Sequence, residues 1–222
     1  MDLLEVGREL KRLGTAQNRK VYGRHGVREP MYGASFADLR ALKKKIKIDQ
    51  PLAEKLWASG NHDSRVLATM IADPDAIRAI ELEGWLGELD NYVIADAFSG
   101  LVWRTPYARS KAEKWLKSRK EFIGQVGYNL LAHLAMNDEE LSDRYFEDQL
   151  KRIEAGIHGS ANRIRHAMNQ ALIAIGVRNR VLERRAVAAA RRIGKVEVDH
   201  GDTSCKTPDA VAYIKKVIEH RG

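Results

Sequence analysis

The chain has 222 residues, 44% of them apolar and 31% charged, with a formal net charge of +8 and one cysteine, Cys205. That length supports a substantial core in one large domain or two small ones, and the positive balance favours anionic partners, nucleic acid first. No apolar run approaches the roughly 18 residues of a membrane span, MDLLEVGREL lacks a charged-then-apolar leader, and a lone cysteine excludes an internal disulfide or a CxxC metal knuckle, so a cytoplasmic location is expected.

In chain order, Leu3–Leu13 reads as a short amphipathic helix. Thr15–Ala34 reads as a basic, glycine-containing loop with Arg19, Lys20, Arg24, His25 and Arg28, suited to draping on phosphates or to serving as an exposed linker. Ser35 with Asp38 opens a helix in capping-box fashion, and Lys43, Lys44, Lys45 and Lys47 read as its solvated surface. Five prolines occur. Asp73-Pro74, Thr105-Pro106 and Thr207-Pro208 each set a capping residue before proline at a first helical position, and Gln50-Pro51 opens a helix too. Pro30 lies in the glycine-rich loop. No window alternates as a β-strand does, so the fold is expected to be nearly all α-helix.

From Pro51 the chain falls into helix pairs. LWASGNHDSRVLATMIA, WLKSRKEFIGQVGYNLLAHLA and IEAGIHGSANRIRHAMNQALIAIG each end one helix, turn, and close a second on a small-plus-aliphatic run; 73–103 fits the same slot less cleanly. A period of roughly 35–40 residues is the signature of a HEAT-like or ARM-type α-α solenoid. The expected organisation is one domain over 1–222: a helix and basic loop at 1–34, repeats at 35–194, and a loop with a capping helix at 195–222.

The clearest stretch is Ile157–Gly176. With Ser160 as N-cap, Ile164, Ala167, Met168, Ala171, Leu172 and Ile175 recur as one buried helical stripe. Arg163, Arg165, His166, Asn169 and Gln170 project elsewhere. The second helices of other pairs carry Arg65 and Asn129 with His133. Aligned in a solenoid, these helices would line a concave basic groove; a solvated face is the alternative. After Gly176 a further helix carries Arg178, Arg180, Arg184, Arg185, Arg191 and Arg192, too many for one core.

Phosphate-loop, dinucleotide and HExxH motifs are absent, and the seven histidines are scattered, so neither metal nor cofactor is expected. His200, Asp202 and Cys205 sit within one loop and read as loop packing rather than a thiol triad. In ELDNYVIADAFSGLVW, Val93, Ala97, Phe98 and Leu101 form the apolar side of a helix capped near Asp90. Tyr92 and Asp96, four apart, share a face. A carboxylate one turn from an aromatic ring can stabilise a cationic sugar or base; a surface ion pair is the alternative.

From YGASFADLR through LWASGNHDSRVLATMIADP, LDNYVIADAF and KEFIGQVGYNLLAHLA to NRIRHAMNQALIAIG, the chain resembles the AlkD-type DNA alkylation repair family of HEAT-like repeat proteins. The resemblance implies an all-α solenoid gripping double-stranded DNA in a positive groove. Its active members cleave the N-glycosidic bond of N3- or N7-alkylated purines without a cofactor, using an Asp, two Trp and an Arg. Asp96 falls on the catalytic Asp and Tyr92 on the first Trp. The Arg would lie at Gly124 or Gln125, and the second Trp at Gln170.

The resulting expectation is a monomeric binder of alkylated or distorted double-stranded DNA, with Asp96 and Tyr92 catalytic and Arg65, Gln125, Arg163, Arg165, His166, Gln170, Arg178 and Arg180 on the DNA. Excision of alkylated purines is one outcome. A non-catalytic binder of damaged or branched DNA and a scaffold for acidic peptides are the alternatives.

Overall fold

In a computed structural model that describes residues 1–220, thirteen α-helices and one 3-10 turn account for the regular structure, with no strand among the described residues. The chain forms two compact units, Met1–Ala108 with Gly201–Thr203, and Arg109–His200 with the chain from Ser204.

In the first unit, α1 (Leu3–Leu13) begins with a capping box between Asp2 and Glu5. The supposed loop that follows contains α2 (Ala16–Arg24), a correction. Thr15 Oγ1 accepts from Asn18 N at 3.0 Å and Tyr22 is buried, so a cap and one core contact outweigh the helix cost of Gly23. The stretch from Gly26 to Ser35 remains irregular. It is fastened by Asp63, which is 0% exposed and accepts from Tyr32 N, Gly33 N and Ala34 N at 2.7, 3.1 and 2.7 Å.

α3 (Phe36–Ile46) starts at the Ser35–Asp38 capping box as expected. α4 (Gln50–Ala58), with Pro51 in its first turn, pairs with α5 (His62–Ile71). α6 (Ala79–Gly87) pairs with α7 (Tyr92–Val102), and α7 packs on α5, second helix on second helix, as a HEAT-like array requires. Trp57 of α4, stacked on Trp85 of α6 with ring centroids 4.3 Å apart, and Phe98 of α7 form the aromatic part of this core. The cap of α7 is Asn91, whose Oδ1 accepts from Ile94 N; Asp90 instead accepts from the Asn91 amide.

Three prolines stand outside the helices they were expected to open. Asp73 Oδ1 accepts from Asp75 N and Thr105 Oγ1 from Tyr107 N, so each side chain closes a turn two residues on instead of capping a helix. α6 is started by Glu81 reaching back to Arg78 N at 2.7 Å. The last helix is capped by Asp209, not Thr207.

The second unit contains α8 (Ala108–Trp115), α9 (Glu121–Asn137), α10 (Asp143–Gly156), α11 (Asn162–Gly176), α12 (Arg180–Ile193) and α13 (Ala210–Glu219). Here α9 packs on α11, α11 on α13 and α10 on α12, again like on like. The expected end of the last helix at Arg221 and Gly222 lies outside the described residues.

The predicted stripe of α11 is buried throughout, but Asn169, Ile173 and Ala174 are buried as well, so its middle is enclosed on nearly every side. Ser160 is not its cap: the Ser160 hydroxyl donates to Gly156 O at 2.9 Å, and Glu121 of α9 accepts from Arg163 N at 2.8 Å in place of a cap side chain. Gly127 brings α9 against the preceding turn; a Cβ there would meet Leu116 N at 2.3 Å.

Candidate functional site

Tyr92 and Asp96, one turn apart on α7, open onto the same hollow of about 400 Å³ in the first unit. α2 contributes Val21, Tyr22 and the following His25, and α3 contributes Phe36. Val93 and Ala97 line this hollow too, whereas the buried side of α7 is Ile94, Ala95, Phe98, Leu101 and Val102. Of the apolar side expected from the sequence, Phe98 and Leu101 are buried, whereas Val93 and Ala97 face the hollow.

Tyr92 OH is hydrogen-bonded to His25 Nδ1, and the two rings meet edge to face with centroids 5.9 Å apart. His25 in turn depends on α2, which Tyr22 anchors by donating to Ala34 O at 2.5 Å. Burial, with the Asp63 and Asp38 charges, pushes the Tyr22 hydroxyl up to about 12, so it remains a neutral donor. The result is an apolar, aromatic-walled hollow with one carboxylate, Asp96, exposed at its rim. Such a carboxylate can stabilise a positive charge held against the wall, because the apolar surroundings screen the pair less than water does. His25, which the sequence offers only as part of a basic loop, and the buried Asp63 are the residues that shape this hollow without a distinguishing signal in the sequence.

Arg65, expected on DNA, is tied down within its own unit. Its guanidinium donates to Trp57 O and Glu88 O, pairs with the Glu88 carboxylate and lies 5.2 Å from the Trp57 ring centroid.

In the second unit, the basic front of α11 is covered in part by the segment after α12. Arg165 donates to Glu197 O at 2.6 Å and to Ser160 O at 3.0 Å. Asn162 exchanges two hydrogen bonds with the backbone of Asp199, and Asn169 donates to Pro208 O. His166 meets His200 edge to face at 5.5 Å, and His200 bonds Thr207 Oγ1 at 2.9 Å. Burial, His200 and then Arg163 hold His166 down to about 4, so it is a neutral ring at pH 7 and adds no positive charge. Arg163 and Gln170 are half-buried on α11.

Gln125 is buried in α9, 3% exposed. Gly124, the other position expected for an arginine, has no room for a side chain: a Cβ would lie 2.5 Å from Ile164 Cδ1 and 2.8 Å from Ser118 O. Arg178 is a structural clamp, donating to Ala135 O, Asp138 O and Leu141 O and lying 4.8 Å from the Phe146 ring centroid. Arg185 and Arg192 pair with Glu147 and Glu154 of α10. Arg180, Arg184 and Arg191 are exposed. Arg180 begins α12, where the helix dipole disfavours a cation and so reinforces the local attraction for anions.

Cys205 is exposed. Among the described residues no three His, Cys, Asp or Glu side chains are grouped to hold a metal, and no helix is long and apolar enough to cross a membrane.

Residues 6–214 match the family model described as "DNA alkylation repair enzyme". The uncharacterized proteins Lin0241 of Listeria innocua and Lmo0209 of Listeria monocytogenes are each 28% identical to this chain, over 96% of it and 95% of their own lengths. A solved structure reported as representing "a new family of proteins related to the HEAT-like repeat DNA glycosylases with affinity for branched DNA structures" superposes with a TM-score of 0.91 at 30% identity. It covers all of this chain and 95% of its own.

Proposed function

The chain belongs to the DNA alkylation repair enzyme family, and on that footing we propose that it binds DNA of disturbed structure, alkylated or branched, through phosphate contacts. Excision, if present, is slow. The observation that carries this reading is the incomplete site: Asp96 and Tyr92 share a hollow, but Gly124 is packed too closely to be replaced by an arginine and Gln170 supplies an amide where an aromatic face is expected. Each contact missing from a transition state at about 1.4 kcal/mol slows the reaction about tenfold, and a base-stacking contact is worth roughly 1–3 kcal/mol. Binding needs none of these groups. The cations proposed for it are Arg163 and Arg180, with Arg65, Arg165 and Arg178 holding the surfaces that present them. The affinity reported for branched DNA in the structural relative supports this reading.

The experiment compares wild type with Asp96→Asn for release of alkylated purines from methylated DNA, alongside binding to duplex and branched DNA across salt. The expected result is binding that weakens with salt by a log–log slope of about −0.9 per phosphate contacted, with little or no release by either protein. Salt-independent or absent binding overturns it. Rapid release by wild type that is lost in Asp96→Asn establishes the second reading, a working glycosylase, which the Asp96 hollow favours.

A further inference from the structure

In the second unit the turn between α8 and α9 lies beside the turn between α10 and α11, and the two enclose an open hollow of about 590 Å³. Its lining includes Lys117, Ser118 and Arg119 from the first turn, Arg152 and Ser160 from around the second, and Tyr128 of α9. Lys117, Arg119 and Arg152 are exposed, and no carboxylate lines the hollow.

The acids on the adjoining helices are engaged elsewhere. Glu113 pairs with Arg109, Asp148 with Lys151 and Arg144, Glu147 with Arg185, Glu154 with Arg192, and Glu121 holds Arg163 N. The charge of Arg152 bears instead on the Tyr128 and Tyr145 hydroxyls, which burial keeps neutral. Three positive charges are therefore left facing one cavity. The starts of α9 and α11 share the Glu121 carboxylate, which lies in the first turn of α9 and accepts from Arg163 N, so the cationic character of the hollow comes from the three side chains. The wall is kept open by Gly156, Gly159 and Ala161, which leave the backbone within reach of a ligand. An open, polar, cationic hollow differs from the enclosed and mainly apolar sites that hold small molecules and suits a chain of phosphates.

We infer that this hollow is a phosphodiester-binding site, in which Lys117, Arg119 and Arg152 grip the backbone of a DNA arm independently of the Asp96 hollow. The inference rests on the DNA-binding reading and adds to it. A protein with two separate backbone contacts favours DNA that offers two arms, because the second contact forms at high effective concentration.

The test measures binding of the full chain to a four-way junction and to a linear duplex between ~50 and ~200 mM salt. Three proteins are compared: wild type, Lys117→Ala/Arg119→Ala/Arg152→Ala, and a charge-matched control, Lys43→Ala/Lys44→Ala/Lys45→Ala. The expected result is a junction slope shallower by about 2.7 in the hollow variant, from about 0.9 per contact, and little change in the control. Arg152→Gln alone should lower the slope by about 0.9, with unchanged thermal melting in every variant. If wild type binds steeply but the hollow variant matches it, or the control shifts equally, this inference falls while the DNA reading stands. If wild type binds no DNA, both fall. Thermal stabilisation by pyrophosphate that is lost in the hollow variant, without any change in DNA binding, overturns it in favour of a small phosphorylated ligand.

Discussion

Replacing Asp63 tests how the Asp96 hollow is held in place. Asp63→Ala removes the acceptor for three backbone N–H groups, at Tyr32, Gly33 and Ala34, of which the last two are buried. A hydrogen bond to a charged group contributes about 1.5–3 kcal/mol, and a stranded buried donor costs about 1–3 kcal/mol. Tyr32 can turn to water, so the sum is cut to about 3–5 kcal/mol. In a chain of this size that corresponds to a melting temperature lower by roughly 10–15 °C. Asp63→Asn keeps one oxygen but sets an NH2 against backbone donors, and should fall between the two. Denaturant melts give the energy. Amide exchange at Gly33 and Ala34 gives the location, and loosening there should spread to α2 and the His25–Tyr92 contact. Losses under about 1 kcal/mol for both variants, with amide protection intact, would refute the argument.

Gly127→Ala forces a Cβ to within 2.3 Å of Leu116 N, where the obstacle is backbone, so a loss of about 2–3 kcal/mol in chemical denaturation is expected. Arg178→Ala should cost about 2–4 kcal/mol of stability by stranding three carbonyls and removing a cation–π contact, leaving the salt slope of DNA binding unchanged. Arg180→Ala should do the reverse, lowering the slope by about 0.9 and raising stability slightly, since a cation leaves a helix start. Acidification should loosen the segment over α11. His166 is held at about 4 against an ordinary value of 6.5, so the unfolded chain takes up its proton first. Stability is whole above pH 6.5 and declines as pH falls toward 4. The decline should be about 1–2 kcal/mol after allowing for solvent access, read as faster proteolysis at 195–200 and abolished by His166→Gln.

Where the fold was legible, local chemistry settled it. The cap at Ser35, the opening of α4 at Pro51, the stripe of α11 and the arginine-dense α12 all point one way whatever their neighbours do. The misreadings come from side chains that chose distant partners. Ser160 turns back to Gly156, while Glu121, 42 residues before Arg163, serves Arg163 N. Thr15–Ala34 looked like a linker because what orders it is a buried carboxylate on α5. For the site, the helical spacing of Tyr92 and Asp96 was sufficient to put them together. The arginines were harder: Arg65, Arg165 and Arg178 look in sequence like Arg180, and only the carbonyls and carboxylates around them separate clamps from exposed charges.

The tight seam at Gly124 has an engineering consequence. A cation introduced there on its own would collide with Ile164 and the Ser118 carbonyl, so placing an arginine at this position means trimming Ile164 and shifting a turn in the same step. Side chain and backbone from two directions already fill the volume a larger group at this position would need, so the seam accepts one only through several coordinated changes rather than a single substitution.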